Sequence, residues 1–182
     1  MKKLNTINST MLPLNMSNVD TDQIMPKQFL KRVERSGYGD FLFHDWKKDP
    51  DFPLNNEAYK GSKVLVAGDN FGTGSSREHA PWGLQDWGFD AIISTKFADI
   101  FRLNSINIGL VPIETNQENV GALFAKIENN PGTNIEISIE NKTVQCEEIV
   151  FSFDLDDFSQ KRILEGLDLS LIHISEPTRP SQ

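Results

Sequence analysis

Apolar residues fall along the chain in short runs, and the spacing inside each run predicts an element. Lys63-Val64-Leu65-Val66-Ala67 is a continuous, β-branched run with the length of a buried strand. Asp90-Ala91-Ile92-Ile93-Ser94 and Leu110-Val111-Pro112-Ile113 repeat the pattern, with helical stretches over 77–87 and 97–107 between them. Strand, helix, strand, helix, strand is the order of a parallel α/β core. Glu118 to Asn129 places Val120, Leu123, Phe124 and Ile127 at helical spacing and stops at Asn130-Pro131-Gly132. The period then changes to that of strands, with Ile135, Ile137 and Ile139 followed by Val144, Cys146 and later Val150. Asn141-Lys142 between these runs predicts a hairpin. Phe158 to Leu167 reads as a final helix, after which the pattern ceases.

The N-terminal third is less regular. Leu4 to Leu14 mixes apolar and polar residues in the manner of a meandering edge strand. Asn18 to Pro26 carries Asp and Thr residues suited to caps and turns. Lys27 to Arg35 predicts a short helix, with Pro26 at its first turn. Residues 36–60 hold Gly, Asp, Pro, Asn and several aromatics, which predicts a long, partly ordered loop.

A chain of 182 residues favours one domain. The 38% hydrophobic and 24% charged residues are spread along it, which is a globular profile. A net charge of −8 argues against a nucleic-acid partner, since phosphate binding needs a basic face. An anionic ligand would have to be met by local positive groups. The single cysteine, Cys146, can form neither an internal disulfide nor a zinc or iron–sulfur site by itself. It reads as a small apolar strand filler rather than a reactive thiol. Apolar runs are far shorter than a membrane span, and the basic start Met1-Lys2-Lys3 is followed by no apolar stretch. A cytoplasmic protein is expected.

The chemistry concentrates in Gly68-Asp69-Asn70-Phe71-Gly72-Thr73-Gly74-Ser75-Ser76-Arg77-Glu78-His79-Ala80. Three glycines between a strand and a helix let the backbone approach a ligand closely. Ser75-x-x-Glu78 has the form of a capping box, which places Ser75 or Ser76 at the helix start. Unpaired N–H groups and the helix dipole there favour negative charge, and a serine oxygen in that field loses its proton more readily. Arg77 offers a rigid fork for a carboxylate. A plainer reading makes Ser75 only an N-cap. His79 admits a serine–histidine couple, although a satisfied helix histidine accounts for it as well, with no orienting acid in a hydrolase arrangement.

Residues 68–82 closely resemble the swivelling-domain signature of the aconitase superfamily, whose core is Gly-Ser-Ser-Arg-Glu-His. Other segments narrow the resemblance to the bacterial isopropylmalate isomerase (3-isopropylmalate dehydratase) small subunits. These are Asn18-Val19-Asp20-Thr21-Asp22-Gln23-Ile24, Pro26-Lys27-Gln28-Phe29-Leu30-Lys31, the stretch 39–46, Phe97-Ala98-Asp99-Ile100-Phe101, Gly109-Leu110-Val111-Pro112-Ile113 and Leu164-Glu165-Gly166-Leu167-Asp168. The resemblance spans about residues 10–168.

It implies a three-layer α/β swivelling domain around a mixed sheet with flanking helices, a single domain over 1–168. The implied reaction is the interconversion of 2- and 3-isopropylmalate through isopropylmaleate, in leucine biosynthesis. Ser75 as an alkoxide takes and returns a proton, Arg77 binds a substrate carboxylate, and Ser76 donates a hydrogen bond nearby. Thr21 and Asp22 match a motif lining the family's active site. Phe29 and Leu30 lie where relatives meet the substrate's variable side chain. The family's 4Fe–4S cluster is expected on a large subunit, because this chain lacks the three thiolates such a cluster uses. The alternatives are a homoaconitase or methylmalate (citraconate) hydratase small subunit, and a stand-alone anion-binding module built on residues 68–77. Residues 169–182 depart from the family pattern and resemble translated sequencing-adaptor DNA, so a non-native tail in place of the family's C-terminus is expected there.

Overall fold

Strand β2 (Val64–Ala67) is buried along its whole length because layers cover both of its faces. Val64 and Val66 point into one core, and Leu65 and Ala67 into the other. The same division runs through β1 (Thr6–Leu14), whose Ile7 and Met11 join the first core and whose Leu12 and Leu14 join the second. In a computed structural model, which describes residues 1–31 and 37–167, these strands belong to one seven-stranded mixed sheet.

The remaining strands are β3 (Ala91–Ser94), β4 (Val111–Glu114), β5 (Asn134–Ser138), β6 (Thr143–Cys146) and β7 (Ile149–Ser152), in the spatial order β4-β3-β2-β1-β5-β6-β7. The helices are α1 (Thr21–Ile24), α2 (His79–Trp87), α3 (Asp99–Asn107), α4 (Gln117–Asn129) and α5 (Asp157–Glu165). The first core takes Val120, Leu123 and Ile127 of α4 and Ile163 of α5, while the second takes Ile24 of α1, Leu84 of α2 and Phe101 of α3. Helices on both faces of a mixed sheet make the three layers that the family resemblance implies.

Strands β2 to β4 are the parallel α/β core read from residues 63–113, and β1 extends it. Four expectations need correction. Leu4–Leu14 is no edge: β1 pairs parallel with β2 through its second half and antiparallel with β5 through its first, joining the two halves of the sheet. Its polar residues are tolerated there because they find partners. Ser9 Oγ accepts from Lys63 N at 2.8 Å, and the hydroxyls of Thr10 and Ser62 lie 2.7 Å apart.

Residues 37–60 are more ordered than the long, partly ordered loop expected there. Four short 3-10 turns follow one another, at Tyr38–Phe41, Trp46–Lys48, Pro53–Asn55 and Glu57–Tyr59. They bury Tyr38, Leu42, Phe43 and Phe52 in the second core. The predicted helix over Lys27–Arg35 starts instead as a 3-10 turn, Lys27–Phe29; residues 32–36 lie outside the described part of the chain. So do the expected boundary at 168 and the expected tail over 169–182. Val150 belongs to a third antiparallel strand, because Glu147 turns the chain at φ 52° after β6. Among the described residues no helix is long and apolar enough to cross a membrane.

Candidate active site

The glycine-rich loop between β2 and α2 is held on two sides by backbone hydrogen bonds. On one side runs residues 18–21: Asn18 N donates to Asp69 O at 2.8 Å, Gly72 N to Val19 O at 2.8 Å, and Thr21 N to Thr73 O at 2.8 Å. On the other, Phe71 N donates to Lys96 O at 2.8 Å and Ala98 N to Phe71 O at 3.1 Å. Asn18 and Asn70, both left-handed (φ 58° and 59°), are joined by a side-chain bond of 3.0 Å. Gly72 (φ 84°) packs so closely that a Cβ there would run into the Phe101 ring. Glycine is therefore required at 72 twice, for its conformation and for its lack of a side chain.

The capping box expected at Ser75 and Glu78 does not form. Helix α2 begins at His79, with Glu78 in the N-cap position and no side-chain cap. Two left-handed glycines, Gly72 and Gly74 (φ 84° and 92°), precede Ser75, and Thr21 Oγ1 donates to the Ser75 carbonyl at 2.9 Å. Both features hold residues 75–77 out of the helix. A capping box of the same form closes earlier, at Asp20 and Gln23: Gln23 N donates to Asp20 Oδ1 at 2.8 Å and Asp20 N to Gln23 Oε1 at 3.0 Å. It fixes α1, and so the position of Thr21.

The loop opens onto a cavity of about 290 Å³ lined by Thr21, Gly72, residues 74–77 and residues 98–101. Ser75 and Ser76 are exposed to it, and Arg77 is half-buried. Residues 98–101 are the N-terminus of α3, which Ala98 leaves without a side-chain cap. The positive helix end that lines this cavity beside the two serines is thus that of α3, where the sequence suggested α2. Asp99 contributes the one acidic group of that first turn. Nη1 of Arg77 is buried and has no hydrogen-bond partner among the described residues. Leaving a buried donor unpaired costs about 1–3 kcal/mol, which a carboxylate oxygen would relieve.

A second hollow, of about 480 Å³, shares Ser76 and Arg77 with the first and adds Leu30, Glu78, His79 and Asn104. Leu30 is therefore brought to the serine loop. Phe29 and Asp22 line neither hollow. The Phe29 ring stacks on Phe41 at 4.2 Å, and Asp22 Oδ1 accepts from Lys27 N at 3.1 Å. His79 sits edge-on to Tyr38 at 5.3 Å and tilted over Trp82 at 4.8 Å. Burial, helped by the charge of Arg77 and opposed by Glu78, lowers its pKa. Among the described residues no hydrogen bond joins it to Ser75, so the geometry contains no serine–histidine couple.

Sequence reasoning missed the first turn of α3 and Asn104. The available signal was a missing one, since Phe97-Ala98 precedes Asp99 with none of the usual capping residues. Cys146 is fully buried in β6, where desolvation raises its thiol pKa above the ordinary value. That is the behaviour of a strand filler.

Residues 1–118 match the family described as the aconitase C-terminal domain. A 3-isopropylmalate dehydratase small subunit of Micrococcus luteus is 51% identical over 92% of this chain and 84% of its own length. One from Leifsonia xyli subsp. xyli is 47% identical over 100% of this chain and 92% of its own. Among solved structures, the 3-isopropylmalate dehydratase of Methanocaldococcus jannaschii superposes with a TM-score of 0.69 at 28% identity, covering 93% of each chain.

Proposed function

This chain belongs to the 3-isopropylmalate dehydratase small subunits, within the aconitase C-terminal domain family, and from that premise we propose the chemistry of its serine loop. It acts as the small subunit of a hydro-lyase that interconverts 2- and 3-isopropylmalate. One observation carries the assignment to this loop: Arg77, whose buried Nη1 has no hydrogen-bond partner among the described residues, lines a hollow together with Ser75 and Ser76. A dicarboxylate supplies the missing acceptor, and binding it brings a carbon next to a carboxylate up to the serines.

In this reading the Ser75 oxygen, as an alkoxide, takes the proton from that carbon. The electron pair left behind forms the double bond of isopropylmaleate as hydroxide departs from the neighbouring carbon. Rehydration in the opposite sense returns the proton from Ser75, with the hydroxyl on the other carbon. The uncapped end of α3 and the guanidinium of Arg77 stabilise negative charge at the serine oxygen and on the substrate. Ser76 donates a hydrogen bond to the substrate, and Leu30 meets its isopropyl group. Thr21 orients Ser75 through its carbonyl. Asp22 and Phe29 act one step back, by shaping the turn that presents Leu30.

This chain's own donors do not fit an iron–sulfur cluster. Its one thiol lies buried in β6, three strands from β2 in the sheet, and no group of three His, Cys, Asp or Glu side chains gathers among the described residues. The Lewis acidity that hydroxide departure requires is assigned to a 4Fe–4S cluster on a large subunit, with both subunits in the cytoplasm. Beside the cavity, Ile100 and Leu103 of α3 are 52% and 59% exposed, apolar surface suited to that partner. The test is co-expression with the cognate large subunit, followed by an anaerobic assay on isopropylmalate and shorter malate analogues. Turnover should require both subunits and favour isopropylmalate. Isomerisation by the purified lone chain without added iron overturns the reading.

A further inference from the structure

Leu30 reaches the hollow it shares with Ser76 and Arg77 from a one-turn 3-10 segment, Lys27–Phe29, that is too short to hold its own position. What fixes that segment is its neighbour in the chain, Phe29. The Phe29 ring lies flat on Phe41, with centroids 4.2 Å apart and planes 12° from parallel, and His44 closes on it edge-on at 4.9 Å. Flat and edge-on contacts together leave the ring little freedom to slide or tilt.

The platform beneath Phe29 is rigid for reasons outside the site. Phe41 ends the 3-10 turn Tyr38–Phe41, which is pinned to α2 where Gly39 N donates to Asp86 Oδ2 at 2.9 Å. Two residues beyond it the chain is pinned to α1, where Phe43 N donates to Ile24 O at 2.8 Å. Tyr38, Leu42 and Phe43 are fully buried around it. Phe29 and Phe41 are themselves only half-buried, at the margin of the second core. Their stack therefore matters more for where it holds the 27–30 turn than for the apolar area it hides. The turn has a second tie, Lys27 N to Asp22 Oδ1, at its other end.

We propose that Phe41 is a positioning residue for substrate selection: by stacking on Phe29 it sets how far Leu30 stands from Arg77, and so the size of alkyl group the hollow accepts. The proposal rests on the reading of Leu30 as the residue that meets the isopropyl group. A side chain held at one depth rewards an alkyl group that reaches it. One released from the stack no longer discriminates, and the loss falls on the larger substrate.

The experiment uses the assembled two-subunit enzyme and compares kcat/KM for 2-isopropylmalate and 2-methylmalate in wild type, Phe41→Ala, Phe41→Tyr and Leu30→Ala. In Phe41→Ala the preference for isopropylmalate should fall about tenfold through the isopropyl substrate alone, as expected for a few carbons of apolar contact. Phe41→Tyr keeps the flat ring and should keep the preference within about twofold of wild type. An unchanged ratio in Phe41→Ala, or equal losses on both substrates, overturns the proposal. Leu30→Ala then identifies the part that failed. A shifted ratio there leaves Leu30 as the selector and removes only Phe41, whereas an unshifted one removes the selector reading as well.

Discussion

The hydroxyl of Thr21 donates to the carbonyl oxygen of Ser75 at 2.9 Å, joining two segments that lie 54 residues apart. Thr21 is buried, Ser75 is exposed, and between them they decide where the serine loop ends and helix α2 is allowed to begin. The threonine thus orients the proposed base without touching its hydroxyl.

Thr21→Val removes the donor and keeps the shape. It should cost about 1 kcal/mol of stability, because the Ser75 carbonyl is near enough to solvent to find a replacement partner. The assembled enzyme should lose about tenfold or more in kcat, since small misplacements of a reacting group are expensive. Thr21→Ser, which restores the donor, should recover most of that loss. Wild-type kcat in the valine variant would show that the bond is structural only.

Ser75→Ala separates chemistry from folding more cleanly than the sequence promised. Were Ser75 an N-cap, its loss would cost about 1 kcal/mol. The helix starts four residues later, at His79, so the melting temperature should barely move. kcat should collapse while substrate still binds, the signature of a group needed only in the transition state. A variant that is less stable yet fully active would end the catalytic assignment.

Arg77→Lys preserves charge and discards geometry. The guanidinium presents a planar fork, and its buried Nη1 has no partner among the described residues. An ammonium makes a single point contact. Charge-assisted hydrogen bonds contribute about 1.5–3 kcal/mol, so kcat/KM should fall about tenfold or more, with KM raised and kcat lowered. The measurement is steady-state kinetics of the reconstituted pair, and near-wild-type kcat/KM would place Arg77 outside the site.

The parallel half of the fold was readable because Val64–Ala67, Ala91–Ser94 and Val111–Ile113 are buried on both faces, and such strands declare themselves as unbroken apolar runs. β1 was misread for the complementary reason. Asn8, Ser9 and Thr10 look like edge residues until Lys63, Ser62 and Asn134 are known to pair with them, and sequence patterning does not contain those partners. The two capping boxes make the same point about the site. Asp20-x-x-Gln23 and Ser75-x-x-Glu78 are equally good strings, and only the first closes, because left-handed glycines and a threonine from a distant segment govern the second. Leu30 and Phe29 were indistinguishable as neighbours in the chain. A stacking partner twelve positions beyond Phe29 separates their roles.

His79 gives the fold a dependence on pH that can be isolated by mutation. Its pKa lies below the ordinary value of 6.5, chiefly because burial disfavours the charged ring, with Arg77 adding repulsion and Glu78 partly offsetting it. Well above pH 6.5 the ring is uncharged in both folded and unfolded chains and contributes nothing to pH dependence. As pH falls through 6.5, the unfolded chain takes up this proton before the folded one does, so stability drops. The drop ends once pH is below the lowered folded value, where both states are protonated. His79→Gln removes the titration while the other histidines remain. The stability of wild type relative to this variant should therefore decline as pH is lowered through 6.5, the range in which histidine changes charge. Chemical denaturation of the two chains across that range measures it. A constant difference would mean that the folded protein holds the His79 proton as readily as water does.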